Sequence, residues 1–204
     1  QNQSLFPTLH HTQEMTFAQG SPFPEGVKFA YIPINTDDTR LIDPLVCQQP
    51  LQLKLDEVIS FLSTTNQPKL LIVSVPGAWT PTCGEVHVPP YLQNLASLGS
   101  KGIGAVIILA SNDPFVVNSW GKVLVKQFYN VDDNSKGIMP KVVFANDVDG
   151  FSRKHDLATD VNGFSRNKRY ATVIDTKTRN VEYLGVETER KVDKSGYETV
   201  LAKL

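Results

Sequence analysis

The sequence predicts an α/β fold in which a mixed central β-sheet is flanked by helices, and two observations support this prediction. Unbroken apolar runs, KLLIVSVP at residues 69–76 and GAVIILAS at residues 104–111, are typical of strands that are buried on both faces of a sheet. Segments with apolar side chains at helical spacing lie between and after these runs, so strands and helices alternate along the chain.

The first part of the chain contains an arm, a strand and a loop. Residues 1–26 are rich in Gln and Pro without strand or helix periodicity, and we expect an arm that is partly disordered. A single domain at 27–204 follows the arm. It opens with a β-rich segment at 27–34 and continues into a loop at 39–50 that carries Cys47.

Three helices are predicted around the two apolar strands. The first has an apolar stripe at helical spacing, formed by Leu55, Val58, Ile59 and Leu62. The second connects the two strands and is expected to bend at Pro89 and Pro90, because proline cannot donate a backbone hydrogen bond. The third follows the second strand, with Asp113 as its N-cap and Pro114 at its first position.

The last third of the chain is predicted to complete the sheet. A short strand at 142–147 and a short helix at 150–157 precede two β-rich segments, 169–175 and 180–187, which form a hairpin. A closing helix has an apolar stripe formed by Tyr197, Val200, Leu201 and Leu204. In such a sheet we expect ligands to bind where strands end and helices begin.

The composition argues against several partners. The 20 basic and 21 acidic residues give a net charge of −1 and form no runs, so binding to nucleic acid or to an anionic membrane is not expected. The longest apolar run, residues 70–79, is shorter than the ~20 residues of a membrane span. Because the chain has two cysteines and no visible signal peptide, we expect it in a reducing compartment, the cytoplasm.

One cysteine lies in the segment PGAWTPTCGEVHVP at residues 76–89. Cys83 is expected in the first turn of a helix after a buried strand, where free backbone N–H groups favour a thiolate over a thiol. This effect contributes only about 0.3–2 kcal/mol, so a nearby cation has to contribute as well. Thr80 lies close enough across the turn to donate its hydroxyl to the sulfur or to a bound oxygen, although it could instead cap the helix.

The spacing P-x-x-x-T-x-x-C of Pro76, Thr80 and Cys83 resembles the active-site motif of the peroxiredoxins, which are cysteine-dependent peroxidases. With SNDPF at residues 111–115 and Trp120, the chain is similar to the type-5 branch, which includes fungal thioredoxin-dependent alkyl hydroperoxide reductases. This resemblance implies a thioredoxin-like fold and a homodimer that needs no cofactor or metal. It also implies reduction of hydrogen peroxide and alkyl hydroperoxides, with thioredoxin, or alternatively glutathione, as the reductant.

The resemblance assigns roles to four side chains. Cys83 is expected to attack the peroxide, and Thr80 to hydrogen-bond the thiolate and the peroxide. Arg169, which precedes a strand aromatic as in the family, is expected to hold the sulfur anionic, although nearby basic residues leave a surface role open. Cys47 lies where yeast relatives keep a cysteine that resolves the sulfenic acid of a partner subunit; the alternative is an inert loop cysteine.

Three further residues are expected near the substrate. Pro76 stiffens the turn, and Trp79 replaces the phenylalanine that is usual on the pocket wall of the family. His87 lies four residues after Cys83 and therefore on the same helical face, which also suggests a Cys/His protease or a metal site. We expect a structural or pocket-lining histidine and no metal, because the other histidines have no ligand spacing.

The C-terminal tripeptide Ala202-Lys203-Leu204 is similar to the S-K-L peroxisomal signal, although Leu204 also continues the apolar stripe of the last helix. Two other functions remain open. A thioredoxin-like disulfide oxidoreductase is disfavoured because the chain has no C-x-x-C motif. A peroxide-sensing redox switch or chaperone would use the same sulfenic acid to change partners.

Overall fold

The computed structural model describes residues 17–36, 42–129 and 139–204. The strands are β1 (Lys28–Tyr31), β2 (Leu51–Lys54), β3 (Lys69–Val75), β4 (Ile103–Ala110), β5 (Lys141–Asn146), β6 (Ala158–Val161), β7 (Phe164–Asn167), β8 (Tyr170–Asp175) and β9 (Val181–Val186). The α-helices are α1 (Leu55–Ser63), α2 (Val88–Gln93), α3 (Leu95–Ser100), α4 (Pro114–Phe128), α5 (Phe151–Lys154) and α6 (Tyr197–Leu201). A π-helical turn, Thr82–His87, leads directly into α2.

The strands form a mixed sheet, as predicted. Its order is β2-β1-β5-β4-β3-β8-β9, with β6 and β7 in a separate hairpin. The central strands β3, β4 and β5 are parallel to one another, whereas β1, β2, β8 and β9 pair with antiparallel neighbours. The α/β prediction of a mixed sheet flanked by helices is therefore confirmed.

The apolar runs of the sequence are buried because each face of the central strands is covered by its own apolar layer. Along β3, Leu71 and Val73 belong to the layer that contains α2, α3 and α4. Leu70 and Ile72 point to the opposite layer, which contains α1 and α5. Side chains alternate between the two faces of a strand, so two covered faces require a continuous apolar run.

The chain joins this domain earlier than the sequence suggested. Phe17 and Phe23, both in the expected arm, are buried at 7% and 1% exposure in the layer beside α1 and α5. The Phe23 N–H donates to the Arg179 carbonyl at 2.7 Å, and Pro22 bridges to Asn180. Residues 17–26 are thus part of the domain, and the rest of the expected arm lies outside the described residues.

The segment between β3 and β4 is not one helix bent at proline. The π-helical turn comes before Pro89, and Val88 N–H donates to the Cys83 carbonyl five residues earlier. The helix is broken instead at Asn94, which separates α2 from α3 and has φ −125° and ψ 31°. Pro89 and Pro90 lie in the first turn of α2, directly after the π-helical turn, and have no N–H groups to donate to the carbonyls of that turn.

Candidate active site

The turn after β3 holds a strained residue. Trp79 has a φ of 60°, a left-handed conformation that is rare for a bulky side chain. Neighbouring hydrogen bonds fix the turn: Ala78 N–H donates to Asn112 Oδ1 at 2.8 Å, and Thr80 Oγ1–H donates to the Gly77 carbonyl at 3.0 Å. Such strain persists where surrounding contacts impose the conformation, which is frequent at active sites.

Cys83 is fully buried in the π-helical turn, and a cation contacts its sulfur. Arg169 Nη2–H donates to Cys83 Sγ at 3.4 Å. The sheet explains this contact between residues that are distant in sequence: β8 runs antiparallel to β3 with Tyr170 opposite Ser74. Arg169 therefore lies beside the end of β3, directly below the turn that carries the cysteine.

His87 fixes the orientation of this arginine. Its Nε2 lies 2.8 Å from the Ser195 carbonyl, which can only accept, so Nε2 carries the proton and Nδ1 accepts from Arg169 Nη1 at 3.0 Å. Burial lowers the pKa of His87 to about 4, with a further lowering by the Arg169 charge and opposite effects from Ser195 and Glu187. The neutral ring required by these two hydrogen bonds is therefore the stable form near neutral pH.

The network continues to the segment ahead of α6. Tyr91 Oη–H donates to the Ser195 carbonyl at 2.6 Å. Glu187 Oε1 accepts from Asp193 N–H at 2.7 Å, from Ser195 N–H at 2.8 Å and from the Ser195 hydroxyl at 2.9 Å. Burial raises the pKa of Glu187, but these hydrogen bonds outweigh burial and the net pKa is lowered. A continuous chain of polar contacts thus joins Glu187 to Cys83.

Two cavities are lined in part by residues of the π-helical turn. The first, here called the arginine cavity, has a volume of about 430 Å³, and its lining includes Pro76, Thr82, Arg166, Lys168, Arg169 and Arg190. The second, here called the tryptophan groove, has a volume of about 440 Å³, and its lining includes Trp79, Thr80, Gly84, Trp120, Leu124 and Phe128. The two chain neighbours of Cys83 line different cavities: Thr82 lines the arginine cavity and Gly84 lines the tryptophan groove.

The predicted site residues therefore separate into groups. The structure brings Cys83, Arg169 and His87 into direct contact, with His87 buried behind the arginine. Pro76 lines the arginine cavity, whereas Trp79 is 59% exposed and lines the tryptophan groove. The Thr80 hydroxyl donates its one proton to Gly77, so the expected donation to the sulfur is not what the structure shows.

Cys47 lies in a different environment. Both cysteines are free thiols, and Cys47 is exposed in the loop before β2. Its Sγ lies 3.8 Å from Asn118 Oδ1 on α4, and the neighbouring Leu45 is 90% exposed. The loop is also attached to α4 through Lys122 Nζ, which donates to the Asp43 carbonyl at 3.1 Å. Cys47 thus belongs to a solvent-facing loop outside the network of Cys83.

Two observations concern other kinds of site. In the described ranges, we find no set of three or more His, Cys, Asp or Glu side chains placed to hold a metal ion. None of the helices described is long and apolar enough to cross a bilayer; the longest, α4, has 15 residues.

Sequence reasoning missed several residues of the network. Tyr91 was visible four residues after the expected residue His87, a spacing that places both side chains on one helical face. Asn112 was visible in the SNDPF segment, but its role in the turn was not predicted. Ser195 and Glu187 carry no local signal, because their contact with His87 arises only from the fold.

Several known proteins are similar to this chain. The family model of the redoxins matches residues 18–201. A protein of Malassezia furfur that bears the name peroxiredoxin is 35% identical over 136 residues, which are 67% of this chain and 69% of that protein. A protein of Lipomyces kononenkoae, named as a peroxisomal peroxiredoxin, is 42% identical over 105 residues, so the match spans 50% of this chain and only 56% of that relative.

A solved structure is similar over nearly the whole chain. Reduced Prx3 from Vibrio vulnificus in complex with hydrogen peroxide superposes with a TM-score of 0.67 at 26% sequence identity. The superposition covers 92% of this chain and 98% of the Vibrio protein.

Proposed function

The chain belongs to the redoxin family and, within it, to the peroxiredoxins, whose thioredoxin-like fold it shares, and on this premise we propose that it is a thiol-dependent peroxidase. Its substrates are hydrogen peroxide and alkyl hydroperoxides. The observation that carries the proposal is the contact of the Arg169 guanidinium with the buried sulfur of Cys83 at 3.4 Å. A cation at this position stabilises a thiolate and the negative charge that develops on a departing oxygen.

The chemical step is a displacement on oxygen. The Cys83 thiolate attacks the terminal oxygen of the hydroperoxide, so that an S–O bond forms while the O–O bond breaks. The sulfur is oxidised to a sulfenic acid, which keeps the proton of the terminal oxygen. The other oxygen leaves as an alkoxide, or as hydroxide from hydrogen peroxide, and takes a proton from solvent. Arg169 has further N–H groups that can donate to this leaving oxygen.

Thr80 is assigned a role as an acceptor. Its hydroxyl proton is committed to the Gly77 carbonyl, but the lone pairs of Oγ1 can still accept a hydrogen bond. We propose that they accept from the O–H of the bound peroxide, which orients the terminal oxygen toward Cys83. The resemblance had suggested donation to the sulfur; the hydrogen bond to Gly77 favours acceptance from the substrate instead.

Cys47 is proposed to resolve the sulfenic acid in a homodimer. Its thiol attacks the sulfenic sulfur of Cys83 in the partner subunit, which forms a disulfide and releases water. Exposure of Cys47, with the apolar Leu45 and Val46 beside it, supports contact with another protein surface. Because Cys83 is fully buried, the π-helical turn has to open before this disulfide forms. Thioredoxin, or alternatively glutathione, would then reduce it.

Steady-state peroxidase assays test both parts of the proposal. Wild type, Cys83→Ser and Cys47→Ser would be compared with hydrogen peroxide and with either the thioredoxin system or glutathione. We expect no turnover in Cys83→Ser, and in Cys47→Ser a single round of peroxide consumption without turnover by thioredoxin. Turnover by Cys83→Ser would contradict the nucleophile, full turnover by Cys47→Ser would contradict the resolving role, and substoichiometric consumption by wild type would favour a redox switch.

Non-reducing electrophoresis tests the pairing itself. After one equivalent of peroxide, the wild type is expected to migrate as a disulfide-linked dimer, and each single cysteine variant as a monomer. A wild-type monomer band would exclude an intersubunit disulfide.

For the location we propose the peroxisome, with the cytoplasm as the alternative. Ala202 and Lys203 are exposed, and the Lipomyces relative carries a peroxisomal name. Leu204 packs partly against the core, so a receptor would have to displace it. A fluorescent protein fused to the N-terminus should label peroxisomes, and Lys203→Glu should make the signal diffuse, whereas the control Lys101→Glu should not. A diffuse signal from the wild-type fusion and from both variants would contradict peroxisomal targeting through the C-terminal tripeptide.

A further inference from the structure

The arginine cavity carries more positive charge than its surroundings neutralise. Arg166, Lys168 and Arg190 line it together with Arg169. Within the described ranges, no carboxylate forms a salt bridge with any of the first three. The Lys168 ammonium donates to the Asp156 carbonyl at 2.7 Å, a contact that leaves its charge uncompensated.

The two carboxylates in the lining do not cancel this charge. Glu187 directs Oε1 at three donors from the segment of Asp193 and Ser195, and its Oε2 is buried beneath neighbouring atoms. Glu189 Oε2 lies 3.5 Å from Lys191 Nζ, so its charge is shared with a lysine that is not among the lining residues. The surface that meets a ligand in this cavity is therefore cationic.

The cations extend outward from the reacting sulfur. Arg169 contacts Cys83 Sγ, and Arg166 Nη1 lies 3.7 Å from the position that a Cβ on Gly77 would take, beside the active-site turn. Arg190 lies on the loop after β9 and completes the wall. Val161, at 41% exposure, contributes an apolar wall from β6. A ligand with its hydroperoxide at Cys83 would thus place a short hydrocarbon part against apolar atoms and its far end among arginines.

From this arrangement we infer that the arginine cavity selects organic hydroperoxides that carry a carboxylate, with the acid group bound by Arg166 and Arg190. The inference rests on the proposed peroxidase function and names the substrate class of the same site. The fork of a guanidinium matches the two oxygens of a carboxylate. The tryptophan groove offers no such site, because the charged side chain in its lining is Glu85, which repels an anion.

The test compares two hydroperoxides of equal shape. We would measure kcat/KM with cumene hydroperoxide and with its para-carboxylate, and use the ratio, because it cancels any general effect on Cys83. The wild type is expected to prefer the carboxylate by roughly tenfold, and Arg166→Gln and Arg190→Gln to lower the ratio by about threefold each, with the double variant near unity. The wild-type preference should fall with added salt, since these cations are solvent-exposed.

A control variant and a binding measurement distinguish failure of the carboxylate inference from failure of the peroxidase function. Lys101→Gln removes one charge at the opposite end of β4 and should keep the wild-type ratio. A wild-type ratio of one would overturn the inference, and so would a ratio that both arginine variants leave unchanged. In either case, turnover of hydrogen peroxide would still support the peroxidase function. If hydrogen peroxide is not turned over, the proposed peroxidase function is wrong, and calorimetry then tests the cavity alone. The Cys83→Ser protein should bind 4-(2-hydroxypropan-2-yl)benzoate more tightly than a triple variant that also carries Arg166→Gln and Arg190→Gln. Equal affinity of the two proteins would overturn the inference.

Discussion

The two cysteines of this chain lie in opposite surroundings. Cys83 is fully buried in a helical turn, and its sulfur accepts from Arg169, which is held by His87. Cys47 is exposed in a loop beside Leu45, with one weak contact from its sulfur to Asn118. The first environment suits reaction of a buried sulfur with a small molecule, and the second suits reaction with another protein.

This contrast separates two properties of the thiols, their accessibility and the charge that lies beside the sulfur. A guanidinium contacts the sulfur of Cys83, whereas the contact described for the sulfur of Cys47 is with an amide oxygen. A thiol that exchanges with a second protein needs instead to be reachable, and at Cys47 the chain provides exposure.

The largest expected effect is the selectivity of oxidation. With a small fraction of one equivalent of hydrogen peroxide, Cys83 should form sulfenic acid about 10³-fold faster than Cys47, because only Cys83 has a guanidinium at its sulfur. Dimedone trapping and mass spectrometry of the two peptides would measure this. A bulky maleimide on the reduced protein should show the reverse order, since Cys47 is exposed. Equal dimedone labelling of both cysteines would remove the proposed distinction.

The second largest effect is expected on kcat/KM when Arg169 loses its forked guanidinium. Arg169→Lys keeps the positive charge but cannot reach His87 Nδ1 and Cys83 Sγ together, so kcat/KM for hydrogen peroxide should fall by roughly 10². Arg153→Lys, an equivalent change at an exposed ion pair with Asp160, serves as the control and should change little. Wild-type activity in Arg169→Lys would mean that charge alone is sufficient.

Part of this fold could be predicted from the sequence alone. The buried strands β3 and β4 follow from their apolar runs, and Asp113 caps α4 as expected, with its carboxylate accepting from Phe115 N–H at 2.8 Å. Such features depend on local periodicity and on local hydrogen bonds, which a single sequence displays. Their prediction needed no knowledge of the tertiary structure.

The missed features depend on contacts between distant segments. Strand β2 alternates apolar and polar residues over only four positions, and the β6–β7 hairpin has no such alternation; both are largely exposed, so neither was predicted. The role of His87 depends on the Ser195 carbonyl, 108 residues later in the chain. Thr80 was expected to donate its hydroxyl to the sulfur, but the hydroxyl donates to the Gly77 carbonyl. Sequence thus identified candidate residue types, while the partners of each side chain required the fold.

The third prediction concerns the pH dependence of stability. The pKa of His87 is about 4 in the folded protein and 6.5 in an ordinary environment, so between these values the unfolded chain binds more protons. The free energy of unfolding should therefore fall by about 3 kcal/mol as the pH drops through this window, and this group should add no further loss below it. His87→Gln, which can keep both hydrogen bonds without titrating, should lack this component.

Urea unfolding of the two proteins at several pH values between 7 and about 4 would measure the difference. Glu187 and the other carboxylates are present in both proteins, so the difference between the two profiles reports the histidine together with its interaction with Glu187. Parallel profiles would show that folding leaves the pKa of His87 at its ordinary value, which would contradict the lowered pKa of the buried ring.

The smallest expected effect tests the acceptor role of Thr80. Thr80→Val removes the hydroxyl that donates to Gly77 and is proposed to accept from the peroxide, so kcat/KM should fall by about tenfold, the value of one good hydrogen bond. Thr80→Ser keeps the hydroxyl and should retain most of the activity. Because Thr80 contacts Gly77 in the turn, thermal unfolding of both variants would show whether the turn itself is weakened. If Thr80→Val reacts with hydrogen peroxide at the wild-type rate, Arg169 and the buried site are sufficient to orient the substrate, and the difference between the two cysteines reduces to the guanidinium alone.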